Sequence, residues 1–226
     1  MPFTLFGSSH LVVIFLTLFF SFLTFWSRRL SVNQQSRIQL LLASILGLQI
    51  IVFNAWHLYF RDFDITRYLP LHLCSISAYI SVLALLLKKN WLYKIQFFWV
   101  PAGAFLALIL PDIGANENFP NFRFIEFFWS HSLIVIITFW IIFTQRLNLK
   151  YLDVWKYFGL LLSFCFGFVF WINRLIGSNY MYLMSKPSGG QMNFLPSEPY
   201  HIFGIVGIIL VIFHVQFWIW KWFYKK

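Results

Sequence analysis

The sequence has few charged residues and very few acids. Only 11% of its 226 residues are charged and seven are Asp or Glu, whereas 60% are hydrophobic and 23% are aromatic. So little polarity excludes a soluble globular protein and indicates an integral membrane chain. The net charge of +10 requires no nucleic-acid partner, because the basic residues follow the predicted sides of the membrane.

Several other features are scarce or missing. Cys74 and Cys165 are the only cysteines, and their different predicted depths exclude a disulfide framework. No alternating strand pattern and no internal repeat occur, so the membrane segments are predicted to be helices. Residues 200–220 of the last apolar segment contain no lysine, which excludes a retinal protein of the rhodopsin type. We expect no metal and no cofactor.

Apolar stretches near the 20 or so residues that cross a bilayer occur seven times. They are residues 10–26, 38–59, 71–87, 91–110, 124–143, 155–176 and 200–222. The third is the shortest, but Pro70 precedes it and Lys88 and Lys89 follow it. The sequence therefore predicts an all-α integral membrane protein, a single seven-helix transmembrane bundle that occupies residues 1–226.

The loops between these segments differ in charge. Basic residues concentrate in the first, third and fifth loops and in the tail: Arg28, Arg29, Arg37, Lys88, Lys89, Lys94, Arg146, Lys150, Lys156, Lys221, Lys225 and Lys226. The opposite side and its helix ends hold six of the seven acids: Asp62, Asp64, Asp112, Glu117, Glu126 and Glu198. Because short cytoplasmic loops collect Lys and Arg, this pattern predicts an outside N-terminus and a cytoplasmic C-terminus.

Reactive side chains concentrate at the predicted outer ends of the helices. In the stretch "RYLPLHLCSISAYI", His72 and Cys74 fall in the first turns of the third helix. His131 is expected roughly 10 Å below the outer start of the fifth helix. Polar groups inside a membrane are costly and usually face the bundle interior. We therefore predict catalytic roles for His131, His72 and Cys74, and we expect Cys165 to be an apolar filler.

Helical geometry limits how these groups can pair. Residues two apart point about 200° from each other, so His72 cannot activate Cys74 within a regular helix. A Cys-His dyad needs a histidine from another helix, and His131 and His201 are the candidates. His57 lies near the outer end of the second helix, with Asn54 on the same side. Interfacial histidines such as His201 are also often merely amphipathic.

The long loop before the seventh helix has two interpretations. Asn173 and Arg174 end the sixth helix beside it, Asn179 follows, and Lys186 precedes a Ser-Gly-Gly stretch. A lysine and free amides would suit a phosphate, but an ordinary flexible loop explains the same residues. The predicted substrate-binding set is Asn54, His57, Asn173, Arg174, Asn179, Lys186 and His201. We expect His72, His131 and either His57 or His201 to share a cavity, with Asn173 or Arg174 at its rim.

Four motifs together resemble a known family. They are "LPLHLC" at 69–74, "FLALILPD" at 105–112, "FPNFRFIEFFWSH" at 119–131 and "NYMYLMSKP" at 179–187. In order and spacing they are similar to the YwaF-like family of small bacterial integral membrane proteins. Related eukaryotic transmembrane proteins are acyltransferases that move fatty acyl chains onto ether phospholipids, using a cysteine and a histidine.

The resemblance implies lipid acyl transfer or acyl hydrolysis in a bacterial cytoplasmic membrane, with a membrane lipid as substrate or ligand. His131 matches the family's mid-helix histidine, and His72 matches the histidine after the proline. In the eukaryotic relatives the cysteine directly follows the proline, where this chain has Leu71, and Cys74 comes three residues later. A thiol nucleophile and a site centred on histidine alone both stay open.

A transporter or lipid-binding receptor is the alternative function. Pro101 and Gly103 in "VPAGAF" are typical of the broken helices at transporter substrate sites. The predicted polar groups, however, crowd one side of the membrane and leave no path through the other half. The sequence therefore favours a lipid-modifying enzyme.

Overall fold

The computed structural model describes residues 2–60, 63–114, 116–187 and 192–224. Within these ranges the chain is all-helical, without strands, which confirms the predicted all-α membrane bundle. The long helices are α1 (Ser8–Arg29), α2 (Val32–Tyr59), α3 (Leu73–Leu87), α4 (Asn90–Ile109), α5 (Phe122–Thr144), α6 (Tyr151–Ile176) and α7 (His201–Tyr224). Six of them are long and apolar enough to cross a membrane, and α3 is shorter, with 15 residues.

Two helices begin four or more residues earlier than the apolar runs predicted, because polar residues cap them. The Ser31 hydroxyl accepts a hydrogen bond from the Gln34 amide N–H at 3.3 Å, and the Gln34 side chain accepts one from the Ser31 N–H at 2.9 Å. This reciprocal cap starts α2 six residues before the predicted position 38. At α6, the Asp153 carboxylate accepts from the Lys150 N–H at 2.8 Å and starts the helix at Tyr151.

The centre of the bundle is formed by α4 and α5. In each of these helices 61% of the most apolar window is buried, against 11–22% in α1, α2, α6 and α7. Helix α5 contacts α1, α2, α3 and α4, and α4 contacts α3, α6 and α7. The exposed faces of the outer helices carry Leu, Phe, Ile and Trp side chains, as a surface in contact with lipid does.

One end of the bundle is formed by the start of α2, the α3–α4 and α5–α6 connections, and the end of α7. We call it the basic end. Lys94 pairs with Asp153 at 2.8 Å, and the Tyr224 hydroxyl donates to the Ile142 carbonyl at 3.0 Å. The basic residues predicted for one side lie here: Arg28, Arg29, Arg37, Lys88, Lys89, Lys94, Arg146, Lys150, Lys156 and Lys221. Lys225 and Lys226 of that prediction, and Asp62 of the opposite side, lie outside the described residues.

Helix α4 contains a π-helical turn, Pro101–Phe105, which brings it close to the start of α3. Proline has no N–H to donate, and such turns occur often at functional sites. A Cβ atom on Gly103 would lie 2.9 Å from Cγ of Leu73 and 3.4 Å from the backbone nitrogen of Cys74. The missing side chain therefore lets α4 support the turn that carries Cys74. A second π-helical turn, Cys165–Val169, interrupts α6.

Candidate active site

A cavity of about 740 Å³ opens at the end of the bundle opposite the basic end. Its walls come from α2, α3, α4, α5 and α7 and from the segments that precede α3 and α7. Its volume lies within the range of small-molecule sites. Six of the predicted site residues line it: Asn54, His72, Cys74, His131, Asn179 and Lys186.

His131 presents one nitrogen without a partner. It lies one turn after Phe127 on α5, and its Nδ1 is 2.6 Å from the Phe127 carbonyl oxygen. A carbonyl can only accept, so Nδ1 carries the proton and Nε2 holds the lone pair. This Nε2 is itself buried and has no hydrogen-bond partner among the described residues. The helix backbone thus sets His131 as a proton acceptor in the cavity wall.

His72 has the opposite arrangement. Its Nδ1 accepts a hydrogen bond from the Met181 backbone N–H at 3.3 Å. In the neutral imidazole the proton must then lie on Nε2, which becomes a donor. The ring is held between Tyr180 and Tyr182, with centroid distances of 5.2 and 5.5 Å. The cavity wall therefore contains one histidine set to accept a proton and one set to donate a hydrogen bond.

Cys74 lies in the first turn of α3 and is half-buried in the cavity wall. His72 is the residue that caps this helix, with the extended φ and ψ of −77° and 149°, and is not part of it. The argument against a His72–Cys74 pair assumed that both residues lie in a regular helix. It does not apply here, because His72 has an extended backbone and precedes the helix. His131 reaches the same cavity from α5.

The partner of His72 belongs to a tight turn that Asn173 supports. Met181 and Tyr182 both have positive φ, 58° and 54°, a conformation that side chains with a Cβ rarely adopt. The buried Asn173 side chain donates to the Tyr180 carbonyl at 2.9 Å, and its oxygen accepts from the Tyr180 N–H at 2.8 Å and from the Ser178 hydroxyl at 2.7 Å. Asn173 thus has a scaffold position behind the cavity wall, where binding was predicted.

Tyr180 connects this turn to the segment that leads into α3. It is fully buried, and its hydroxyl donates to the Ile65 carbonyl at 2.6 Å and accepts from the Leu69 N–H at 2.9 Å. The segment that carries His72 and the turn that carries Met181 are therefore held together by one side chain.

Asn179 and Lys186 line the cavity from the loop before α7. The Asn179 side-chain oxygen accepts from the Met184 and Ser185 N–H groups at 3.0 and 3.1 Å. The Lys186 backbone N–H donates to the Glu198 carboxylate at 2.9 Å. The Lys186 ammonium takes no part in that hydrogen bond. The Ser-Gly-Gly stretch of the predicted phosphate site, at 188–190, lies outside the described residues.

Three predicted residues lie away from the cavity wall, as Asn173 does. His57 is buried against Tyr68, with ring centroids 3.9 Å apart. His201 is fully buried, and its Nε2 donates to the Tyr182 carbonyl at 2.9 Å. Arg174 is exposed on α6. The expected cavity thus contains His72 and His131, but neither His57 nor His201 joins them, and neither Asn173 nor Arg174 forms the rim.

One ion pair and one tyrosine–carboxylate hydrogen bond in the cavity were not predicted as site residues. Arg123 and Glu126 form an ion pair of 2.9 Å on α5, and Gln49 donates to Glu126 at 3.3 Å. The Tyr182 hydroxyl donates to Asp112 at 2.8 Å. Burial and the adjacent Asp112 carboxylate raise the pKa of the Tyr182 phenol, so it stays a donor at neutral pH.

The sequence signal for the ion pair was its helical spacing. Arg123, Glu126 and Ser130 recur at intervals of three and four residues and lead to His131, so they share one face of α5. Polar side chains that recur on one face of a membrane helix indicate a wall that faces the bundle interior.

Comparison with protein families identifies the chain. The family model described as the TMEM164 family matches residues 5–217, which includes all of the cavity wall. The chain belongs to the TMEM164 family. No curated protein and no solved structure matches it. Membership of this transmembrane family and the apolar helices make it an integral membrane protein.

Proposed function

We propose that this TMEM164-family protein transfers or hydrolyses the fatty acyl chain of a membrane lipid in the cavity. The observation that carries the proposal is the unpartnered Nε2 of His131, in a cavity wall that also contains Cys74 and His72. Acyl transfer needs a nucleophile, a base and a donor for the oxyanion. The three residues supply one of each.

The first half of the reaction forms a thioester. His131 Nε2 takes the Cys74 thiol proton as the sulfur attacks the ester carbonyl, and the His72 Nε2–H donates to the developing oxyanion. The carbon–oxygen bond of the ester then breaks, and the protonated His131 gives its proton to the leaving lysolipid oxygen. Each histidine enters this step in the tautomer that its backbone partner imposes.

The second half releases the acyl chain. His131 takes a proton from the hydroxyl of an acceptor lysolipid or from water. The oxygen that loses the proton attacks the thioester and frees the Cys74 thiolate. The thiolate recovers the proton from His131. If Cys74 is not the nucleophile, the same base activates the acceptor hydroxyl directly against the lipid ester.

Cationic side chains in the cavity suit a lipid phosphate. Arg67, Arg123 and Lys186 line it, and guanidinium and ammonium groups are the usual partners of phosphate oxygens. Arg174 was predicted to bind substrate at the rim, but it lies outside the cavity wall. We assign the headgroup contact to Lys186 and Arg67, because the exposed Arg67 pairs with Asp64 only at 3.6 Å, whereas Arg123 is held by the mostly buried Glu126 at 2.9 Å.

We place the cavity at the outer leaflet of a bacterial cytoplasmic membrane, with the N-terminus outside and the C-terminus inside. The support is the concentration of Lys and Arg at the basic end, since short cytoplasmic loops collect these residues. A lipid would then reach the cavity from the side without leaving the bilayer.

The test is turnover of defined lipid mixtures by purified protein, followed by mass spectrometry. His131→Ala is expected to slow turnover by about 10² to 10⁴, the usual loss with a general base. His214→Ala is the matched control, because its Nδ1 contacts the carbonyl of residue Leu210 at 2.8 Å, as His131 contacts Phe127, but it lies outside the cavity. Saturable lipid binding without turnover by any donor and acceptor would favour the transporter or receptor function instead.

A further inference from the structure

A second, much smaller pocket lies beside the active-site cavity. It has a volume of about 30 Å³ and lies between the π-helical turn of α6, the 181–183 segment and α7. We call it the Cys165 pocket. The space holds about two groups of the size of a water molecule or a methylene. Its walls are almost entirely apolar, with Leu162, Cys165 and Val206 among them. An apolar space of this size gives water too few partners and suits hydrocarbon.

The Cys165 pocket and the active-site cavity share a wall. Leu73, Met181, Tyr182, Ile205 and Ile209 line both spaces. The side chain most able to move in this wall is Met181, because methionine is unbranched and has three rotatable bonds. Rotation of that side chain would join the two spaces.

Met181 also connects the pocket to the catalytic groups. Its backbone N–H holds His72, while its sulfur lies 3.7 Å from the Cys165 sulfur. The same residue thus touches the oxyanion donor on one side and the bottom of the small pocket on the other.

The chemistry of the cavity determines which part of a lipid reaches this wall. The headgroup cations Arg67 and Lys186 lie on the segments that precede α3 and α7, whereas Ile205, Ile208 and Ile209 form an apolar wall on α7. This wall is the apolar neighbour of a lipid whose ester lies at His131 and whose phosphate lies at the cations, and Ile205 and Ile209 of the wall also line the Cys165 pocket.

We infer that the Cys165 pocket receives the methyl end of the fatty acyl chain and that Met181 is the side chain that admits it. The inference rests on the proposed function for the orientation of the lipid. It makes Cys165 and Met181 determinants of chain length, whereas Cys74 is the proposed nucleophile. An acyl chain that ends in the pocket buries about two more carbons than an acyl chain that stops at Met181.

Substitutions of Cys165 test the inference through chain-length preference. Cys165→Leu fills the pocket, and Cys165→Ala leaves it larger. Two buried methylenes correspond to about a fifteenfold change in preference. We expect the leucine variant to lower turnover of the wild type's preferred donor by about that factor, relative to a donor two carbons shorter. The alanine variant should keep the preferred donor or favour a longer one. Leu160→Ala, at an exposed position on the same helix, is the control.

A crosslinking measurement makes the result independent of turnover. The probe is a phosphatidylcholine with a diazirine at the methyl end of one acyl chain, photolysed with the full chain in lipid nanodiscs. We expect crosslinks at residues 161–166 or 181–183 in the wild type and their loss in Cys165→Leu.

The outcomes separate the two proposals. Crosslinks in the pocket without lipid turnover by the wild type would support the chain pocket and overturn the enzyme. Turnover with an unchanged chain preference in both Cys165 variants, or crosslinks only on exposed helix faces, would overturn the pocket and leave the enzyme standing.

Discussion

The removal of the Asn173 side chain should loosen the turn that holds His72. Asn173 is 1% exposed, and it pairs both backbone groups of the fully buried Tyr180. Asn173→Ala leaves that N–H and that carbonyl without partners, at a cost of about 1–3 kcal/mol each. Because neighbouring groups relax together, we expect a loss of about 3 kcal/mol in the free energy of unfolding.

Ser178→Ala is the matched control for this variant. It removes one donor to the Asn173 oxygen, which still accepts from the Tyr180 N–H. Its expected cost is about 1 kcal/mol or less. Unfolding by SDS in mixed micelles measures both variants, and hydrogen exchange of residues 178–185 shows whether the loss is local. Only Asn173→Ala should also slow lipid turnover, since only it releases the Met181 N–H from His72.

Either of two results would refute this prediction. One is equal stability of the Asn173→Ala and Ser178→Ala proteins. The other is exchange that rises everywhere except at residues 178–185, which would show that Asn173 does not hold this turn.

Three further predictions concern topology, charge and packing. Single cysteines at Arg28, Lys88 and Lys150 should react with an impermeant label only after the cells are opened, whereas cysteines at Glu117 and Lys186 should react in intact cells. Equal labelling of Lys88 and Glu117 positions from outside would disprove the orientation. Arg123→Ala should cost about 3 kcal/mol of stability because it leaves the mostly buried Glu126 carboxylate without its cation, and a second change, Glu126→Gln, should restore most of that loss; an additive double variant would contradict the pairing. Gly103→Ala should destabilise the protein by about 1–3 kcal/mol through its contact with Leu73, while Gly159→Ala, with open space around its Cβ, should be neutral or stabilising. Thermal unfolding of both glycine variants in detergent decides between these outcomes.

The sequence predicted the helices well because a bilayer demands long apolar segments. It placed the beginnings of α2 and α6 too late, since apolar runs mark the hydrocarbon and not the polar caps outside it. The cap of α2 was readable in principle, because a serine three residues before a glutamine is the signature of a reciprocal cap.

The candidate site was predictable only in part. His72 and His131 stood out because a polar residue in an apolar segment needs a reason. The scaffold position of Asn173 was not predictable from the sequence, because its partner Tyr180 lies seven residues away and beyond the helix end. The tautomers of the two histidines depend on a backbone carbonyl and a backbone N–H, and neither depends on side-chain identity. His57 and His201 are also polar residues at apolar segments, but His57 packs against Tyr68 and His201 donates to the Tyr182 carbonyl.

The most direct test of the central claim is to trap the acyl chain on the protein. Wild-type protein is mixed with a labelled lipid donor in the absence of acceptor lysolipid, quenched in acid within seconds, digested and analysed by mass spectrometry, since an acyl-enzyme accumulates when it forms faster than water removes it. The account predicts a hydroxylamine-labile acyl group on the peptide that contains Cys74, its absence in Cys74→Ala and its slow formation in His131→Ala. Full turnover by Cys74→Ala would eliminate the thioester. No acyl adduct and no turnover by the wild type with any donor and acceptor would contradict the account as a whole.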